Sequence, residues 1–448
     1  MSVKPGEEDG KKIPKAKTPV KEAAPEKTPA LVVNPKDLPK REDVEAVIAK
    51  ATKGDDPDAV IKLFDILMVY AHSARSSDVH IEPWKSHGLV RIRIDGILHD
   101  EFPVESAIQT QLIARMKILT RMRTDEHHAP QDGRFKFTSP LGDVDVRVSI
   151  LPDALGEKAV LRLLSSQSHK MTLEQLGFSE EDLARINRAI RKPWGMILAT
   201  GPTGSGKTTT IYAILEILNK REVNIATIED PVEFEIEGVN QSQVDHVAKL
   251  TFATGLRALL RQDPDIIMVG EIRDQETAKI AVNAALTGHK LLSTLHTNNS
   301  ATSIPRLIDM EVEPFLISST FICAIAQRLL RRACPDCVET QTLSVEDAKK
   351  MLNEKTVAAL FKEKTTLEVA KAKGCEKCND TGYKGRVGIY EVLENSAGIQ
   401  ELINKRATSD AIEEQAKKEG MTTLVEDGAR KVIGKETTVE ELIRVMEE

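Results

Sequence analysis

Apolar residues change their spacing several times along the chain, and each change marks a different kind of structure. In "DPDAVIKLFDILMVYA", Val60, Phe64, Leu67 and Ala71 fall on one face of a helix. Asp56 suits its cap and Pro57 its first position. The spacing then tightens to alternation in "SDVHIEP", "LVRIRIDGILHDEF", "DVDVRVSIL" and "EKAVLRLL", which predicts strands around a helix at 105–123. This mixture predicts an α+β domain over residues 42–165. The polar stretch "SSQSHKMTLEQLG" reads as a linker, residues 166–179, and Ser179 opens a helix with acidic residues in its first turn. From Pro193 the apolar runs "MILAT", "VNIATI", "DIIMV" and "KLLSTL" alternate with helical spacing, the βαβ rhythm of a parallel sheet. That pattern covers residues 180–330. A cysteine-bearing segment follows at 331–388, and helical spacing closes the chain at 389–448.

The chain has 448 residues, enough for about three domains. Seven of its 20 prolines fall in residues 1–41, mixed with Lys and Glu. Such a segment buries too little apolar surface to offset its ordering entropy and reads as a disordered tail, a solvated spacer or a tether. The formal net charge of −7 is a poor bulk match for nucleic acid. The longest apolar runs are too short to span a bilayer, and the N-terminus shows no apolar signal-peptide region. These features predict a soluble cytoplasmic protein.

Four stretches carry chemistry. "GPTGSGKT" fits the phosphate-binding loop pattern, with Gly201, Pro202, Thr203, Gly204, Ser205, Gly206, Lys207, Thr208 and the following Thr209 as nucleotide-binding candidates. Its glycines let backbone N–H groups curl round phosphates, Lys207 reaches the β and γ phosphates, and the Thr208 hydroxyl can ligate Mg²⁺. "TIEDPVEFE" places Glu229, Asp230 and Glu233 at a strand end, where carboxylates can hold Mg²⁺ or orient water. "DPDIIMVGEIRD" ends an apolar strand in Gly270 and Glu271, with Gly where P-loop ATPases often carry the metal-holding Asp. Gly270 is read here as allowing the backbone close to the nucleotide. "STLHTNNS" adds His296 at another strand end and His289 at its start. His127 and His128 show no partner in the sequence and read as surface.

Cys334, Cys337, Cys375 and Cys378 form two CxxC pairs that fit a tetrahedral zinc site. The 37 residues between the pairs imply an inserted helical segment. Cys323, in an apolar stretch, reads as buried and inert. Arg134, Arg147 and Arg162 in the first domain are candidates for neutralising charge on a transferring phosphate.

Taken in order, "GPTGSGKTTT", "TIEDPVE", "DIIMVGEIRDQETA", "TGHKLLSTLHTN" and the cysteine pairs resemble the ATPases of type II secretion and type IV pilus assembly. So do "SDVHIEP", "RIRIDG", "PQDGR", "GEKAVLR", "GRVGIYEVL" and "EGMTTLVEDG", and the resemblance runs from about residue 56 to the C-terminus. It implies an α/β RecA-like P-loop domain after an α+β, PAS-like domain, with a Cys₄ zinc module and a C-terminal helical subdomain. It also implies a cytoplasmic homo-hexamer using ATP, Mg²⁺ and Zn²⁺, held at the cytoplasmic face of the membrane by a platform or adaptor protein, with no nucleic acid. The family's Asp box falls on Glu229–Glu233, its Walker B motif on Gly270 and Glu271, its His box on His289–His296, and its inter-domain arginines on Arg134, Arg147 and Arg162. Glu271 or Glu233 is then the catalytic carboxylate, and Glu229 shares the Mg²⁺ with Thr208. Retraction ATPases of this superfamily usually lack the cysteine pairs, which favours assembly or secretion. A retraction motor and a nucleic-acid-dependent motor remain the alternatives.

Overall fold

The computed structural model describes residues 38–54, 56–165, 171–362 and 364–447. Residues 1–37 of the Pro/Lys-rich segment and 166–170 of the linker lie outside them.

The alternating segments become β1 (Ser76–Pro83), β2 (Gly88–Ile94), β3 (Ile97–Val104), β4 (Gln131–Ser139), β5 (Gly142–Asp153) and β6 (Gly156–Ser165). They form one antiparallel sheet in the order β3-β2-β1-β6-β5-β4. Alternation buries one face: Val144, Val146, Val148 and Ile150 of β5 point inward, against Phe64, Leu67 and Ala71 of the helix Ala59–Ser73. That helix begins at Ala59, two residues beyond Pro57, because Asp56 is spent on the preceding turn and accepts from the Asp58 N–H at 2.9 Å. The helix Ser106–Leu119 packs on the same sheet. A further helix, Arg41–Lys53, starts where the sequence reading places the end of the tail. Its outer face is charged, and Arg41 fixes it by donating to the carbonyl of Glu101 and lying 5.3 Å over the Phe102 ring.

The apolar runs of the second half become β7 (Gly195–Thr200), β8 (Ile225–Glu229), β9 (Val239–Gln243), β10 (Ile266–Val269), β11 (Lys290–Leu295) and β12 (Phe321–Ala333). With β13 (Glu339–Ser344), β14 (Thr366–Lys371) and β15 (Tyr383–Glu394) they complete the strands. The main sheet has the order β15-β12-β7-β11-β10-β8-β9, parallel from β12 to β9, with β15 antiparallel at the edge. All residues of β7, β8, β10 and β11 are buried, as expected for a parallel sheet covered on both faces. Ser179 caps the helix Glu180–Arg191 as read, its hydroxyl accepting from the Asp182 N–H at 3.0 Å.

β12 and β15 run straight through the anticipated boundaries at 330 and 388. The cysteine-bearing segment therefore leaves and re-enters the main sheet between Ala333 and Tyr383, which are paired across the two strands. It holds the β13–β14 ladder and two helices, Val345–Met351 and Glu354–Phe361. Four helices, Ala397–Asn404, Ser409–Lys418, Leu424–Ile433 and Val439–Glu447, close the chain as predicted. Leu343, Leu360 and Phe361 of the segment share a core with Leu424, Val432 and Leu442 of these helices. Among the described residues no helix is long and apolar enough to cross a membrane.

Candidate nucleotide site

Parallel strands that end together put their following loops together. Register pairs Leu295 with Thr200, Val269 with Ser293 and Val269 with Ile228, so the carboxyl ends of β7, β11, β10 and β8 lie side by side. The phosphate loop, Glu271, His296 and the acidic turn at 229–233 all leave from that edge. His289 does not. It stands at the opposite end of β11, where its Nδ1 lies 2.9 Å from the Ala284 carbonyl at the end of the helix Gln275–Leu286. This half of the expected His box is a helix-end contact.

The loop has the left-handed backbone its glycines permit: φ is 143° at Gly201, 80° at Gly204 and 87° at Gly206. Gly206 caps the helix Lys207–Leu218, so the first N–H groups of a long helix open into the loop. Pro202, Thr203 and Gly204 are exposed, Thr208 and Thr209 half-buried, and Ser205 buried with an unpartnered hydroxyl. Lys207 is buried and donates to the carbonyls of Gly201 at 2.9 Å and Pro202 at 3.0 Å. Burial pushes its ammonium down to about 8, opposed by Glu271 and aided by Arg328.

Glu271 is nearly covered. Arg273 pairs with one of its oxygens, and His296 Nε2 lies 3.2 Å from the other, close enough for an ion pair but not aligned for a hydrogen bond. Gly270 also packs closely against its neighbours. A Cβ there would meet the Glu229 Cα and the Phe252 ring, both at 3.3 Å, a tight fit that a side chain could take only if the neighbouring strand and helix gave way slightly.

Glu229, expected to share Mg²⁺, is turned inward. It accepts from Thr227 at 2.6 Å, from Gln241 at 3.1 Å and from the Tyr212 hydroxyl. Its carboxylate anchors the turn rather than facing the site. Glu233 and Asp230 lie further out, and the Glu233 N–H donates to the same Tyr212 hydroxyl at 3.4 Å.

The three arginines prove to be a row. Register pairs Arg134 with Arg147 and Arg147 with Arg162, so all three project from the polar face of β4, β5 and β6. Like charges directly opposite are destabilising. Arg162 is partly relieved by Asp78 at 3.0 Å, and Arg134 is exposed. Arg147 crosses to the acidic turn, donating to Glu233 at 3.2 Å and to the Val232 carbonyl at 2.5 Å. The first domain thus reaches the nucleotide edge of the second through the middle member of the row.

The four cysteine sulfurs lie within 4.8 Å of one another, with separations of 3.6 Å for Cys375–Cys378, 3.8 Å for Cys337–Cys378 and 4.0 Å for Cys334–Cys375. Zn–S bonds of about 2.3 Å in a tetrahedron require sulfurs about 3.8 Å apart, so the set fits zinc. The N–H groups of Cys375 and Gly382 point at Cys378 Sγ, at 3.2 and 3.3 Å. Cys323 is fully buried, and its thiol is pushed up to about 12 by burial, in keeping with an inert residue. His127, read as partnerless, lies 2.8 Å from Glu157, which also pairs with the buried Lys117 at 2.7 Å. Tyr212, Gln241, Arg273 and Gln327 belong to the site or its support and went unnoticed in the sequence. Gln327 carried a signal, being a polar side chain in an apolar stretch of a main-sheet strand.

Residues 53–444 match the family described as "Type II/IV secretion system protein". The chain is 44% identical over 394 residues to type II secretion system protein E of Pseudomonas aeruginosa, covering 88% of this chain and 77% of that protein. It is 43% identical over 411 residues to the type IV pilus assembly ATPase TfpB of Acinetobacter baylyi, covering 90% and 69%. Among solved structures, the pilus retraction motor PilT with bound ADP is 26% identical, with a TM-score of 0.52 over 81% of this chain and 95% of that one. The chain belongs to the type II/IV secretion system protein family and is an ATPase of secretion or pilus assembly.

Proposed function

We propose that this protein is a hexameric motor that hydrolyses ATP at the β7–β11–β10–β8 edge to drive assembly of a type IV pilus or a type II secretion pseudopilus. The observation that carries the reading is the meeting of the phosphate loop, Glu271 and an arginine of another domain at one sheet edge. The protein works at the cytoplasmic face of the membrane, through a platform or adaptor protein.

On binding ATP, Lys207 exchanges two backbone carbonyls for the β and γ phosphate oxygens. Thr208 would hold Mg²⁺, with the outer carboxylates Asp230 and Glu233 to reach it through water, and the ion would supply positive charge against the phosphates. Glu271 takes the proton of the attacking water, and His296 and Arg273 hold its carboxylate in place. Glu233 is less suited to that task because Arg147 occupies it. Once the γ-phosphate provides a stronger anion, the arginine row closes on it, and its departure releases the first domain. That is an order of events by which hydrolysis becomes movement. Cys334, Cys337, Cys375 and Cys378 hold a structural zinc that closes a segment with little core of its own.

The test is ATP turnover and nucleotide binding by the purified chain. Lys207→Ala is expected to abolish tight nucleotide binding, measured with a fluorescent ADP analogue, and retained tight binding would sink the assignment. Restoration of pili or secretion in a strain lacking its own assembly motor supports the assembly reading. Restoration of pilus retraction, or turnover stimulated by DNA with a steep salt dependence, argues against it.

A further inference from the structure

A phosphate loop turns its N–H groups toward the ligand, so its carbonyls must be satisfied elsewhere. Here two side-chain holders do this work, beside the Ser205 N–H, which donates to the Pro202 carbonyl at 3.3 Å. Lys207 takes the carbonyls of Gly201 and Pro202. The carbonyl of Ser205 is taken by the side-chain amide of Gln327, whose Nε2 donates to it at 2.7 Å. The two holders differ in one respect. Under the proposed function Lys207 must leave when phosphate arrives. Gln327 is bound into β12 and can stay.

Its placement follows from register. β12 pairs Ala326 with Thr200, the last residue of β7, so Gln327 is the next residue along, beneath the loop that leaves β7. The fit is close at both ends of the loop. A Cβ on Gly201 would lie 2.6 Å from the Gln327 carbonyl oxygen, and one on Gly206 would lie 3.1 Å from Gln327 Nε2. The side chain is 1% exposed within a strand whose residues Phe321 to Gln327 are all buried. Its Oε1 has no partner. A buried amide with an unmet acceptor costs stability. Packing alone would be better served there by an apolar side chain.

We infer that Gln327 is a positioning residue of the nucleotide site, fastening the Ser205 carbonyl to β12 so that the loop is already in its phosphate-binding shape before nucleotide arrives. The inference rests on the P-loop reading above. Once nucleotide is bound, the phosphates themselves order the loop. Loss of the amide therefore weakens binding while leaving turnover at saturating ATP nearly intact.

The experiment uses the full chain with Gln327→Leu and Gln327→Glu, a fluorescent ADP analogue, and the unaltered protein measured at each pH. Gln327→Leu is expected to bind about tenfold more weakly at every pH, the scale of one lost buried hydrogen bond. Gln327→Glu is expected to bind weakly at pH 8 and to recover toward the unaltered protein at pH 6, because only a protonated carboxyl can donate to the Ser205 carbonyl and burial at this 1% exposed position raises a carboxyl's pKa well above its ordinary value. Turnover at saturating ATP stays within about twofold in both. Should the Leu variant not fold, the pH recovery of the Glu variant carries the test alone. Parent-like binding in both variants overturns the inference, and so does a Glu variant as weak at pH 6 as at pH 8. Lys207→Ala serves as the reference. If it fails to bind while the Gln327 variants bind normally, the positioning role falls and the P-loop assignment stands. If Lys207→Ala binds normally, the assignment itself falls.

Discussion

The two sheets place their chemistry in opposite ways. The main sheet is buried on both faces, and its reactive groups stand at the ends of strands, in loops that converge at one edge. There the buried carboxylates are met within the domain: Glu271 lies against Arg273 and His296, and Glu229 accepts from three donors. The antiparallel sheet of the first domain buries one face and carries its functional candidates in mid-strand on the other. There three like charges stand side by side. The first arrangement is complete within its own domain. In the second, Arg162 meets Asp78 of its own sheet, whereas Arg147 meets an anion of the other domain, Glu233. Under the proposed function this difference suits a motor: a site that does chemistry beside a cationic face that answers to the presence of a phosphate.

The strongest way to break this division is at the settled edge. Glu271→Gln is expected to lower ATP turnover by about 10³-fold, within the range of general-base loss, while nucleotide affinity stays within about threefold. Turnover near that of the unaltered protein would remove Glu271 from the reaction. The next test is at the responsive face. Arginine fingers contribute about 10³–10⁵-fold, and two arginines remain in the row, so Arg147→Ala is expected to reduce kcat by about 10²-fold. An unchanged kcat would show that the row does not reach the γ-phosphate. The smallest effect should have the opposite sign. Removing one like charge in Arg134→Gln is expected to raise thermal stability by about 0.2–1 kcal/mol without nucleotide. A fall in melting temperature would mean that the row is not self-repelling.

The edge was largely legible in the sequence because strand-end motifs are contiguous: a phosphate loop, an acidic turn and a Gly-Glu pair each occupy a few residues. The helical and strand patterns followed for the same reason. What escaped depends on pairing. Nothing in "PQDGR", "DVRVS" and "LRLL" says that Arg134, Arg147 and Arg162 share one line, since that needs the β4–β5–β6 register. Gln327 looked like one polar residue in an apolar run, and its partner lies 122 positions away. Glu229 and Asp230 are adjacent, yet only Glu229 belongs to the buried end of β8, so the strand turns its carboxylate inward. His289 and His296 are seven positions apart in sequence but bracket a whole strand, which separates them by its length. The helix Arg41–Lys53 was missed because only Val44 of its residues is fully buried and its amphipathic signal is drowned by charge.

The cysteine-bearing segment joins the main sheet at a single pair, Ala333 and Tyr383, yet shares apolar contacts with the last helices. In evolutionary terms its attachment is simple and its removal is not. A lineage that dropped residues 334–382 would keep a closed β12–β15 hairpin but would uncover Leu424, Val432 and Leu442. The cysteine pairs and the apolar face of the C-terminal helices are therefore expected to be inherited, or lost, together.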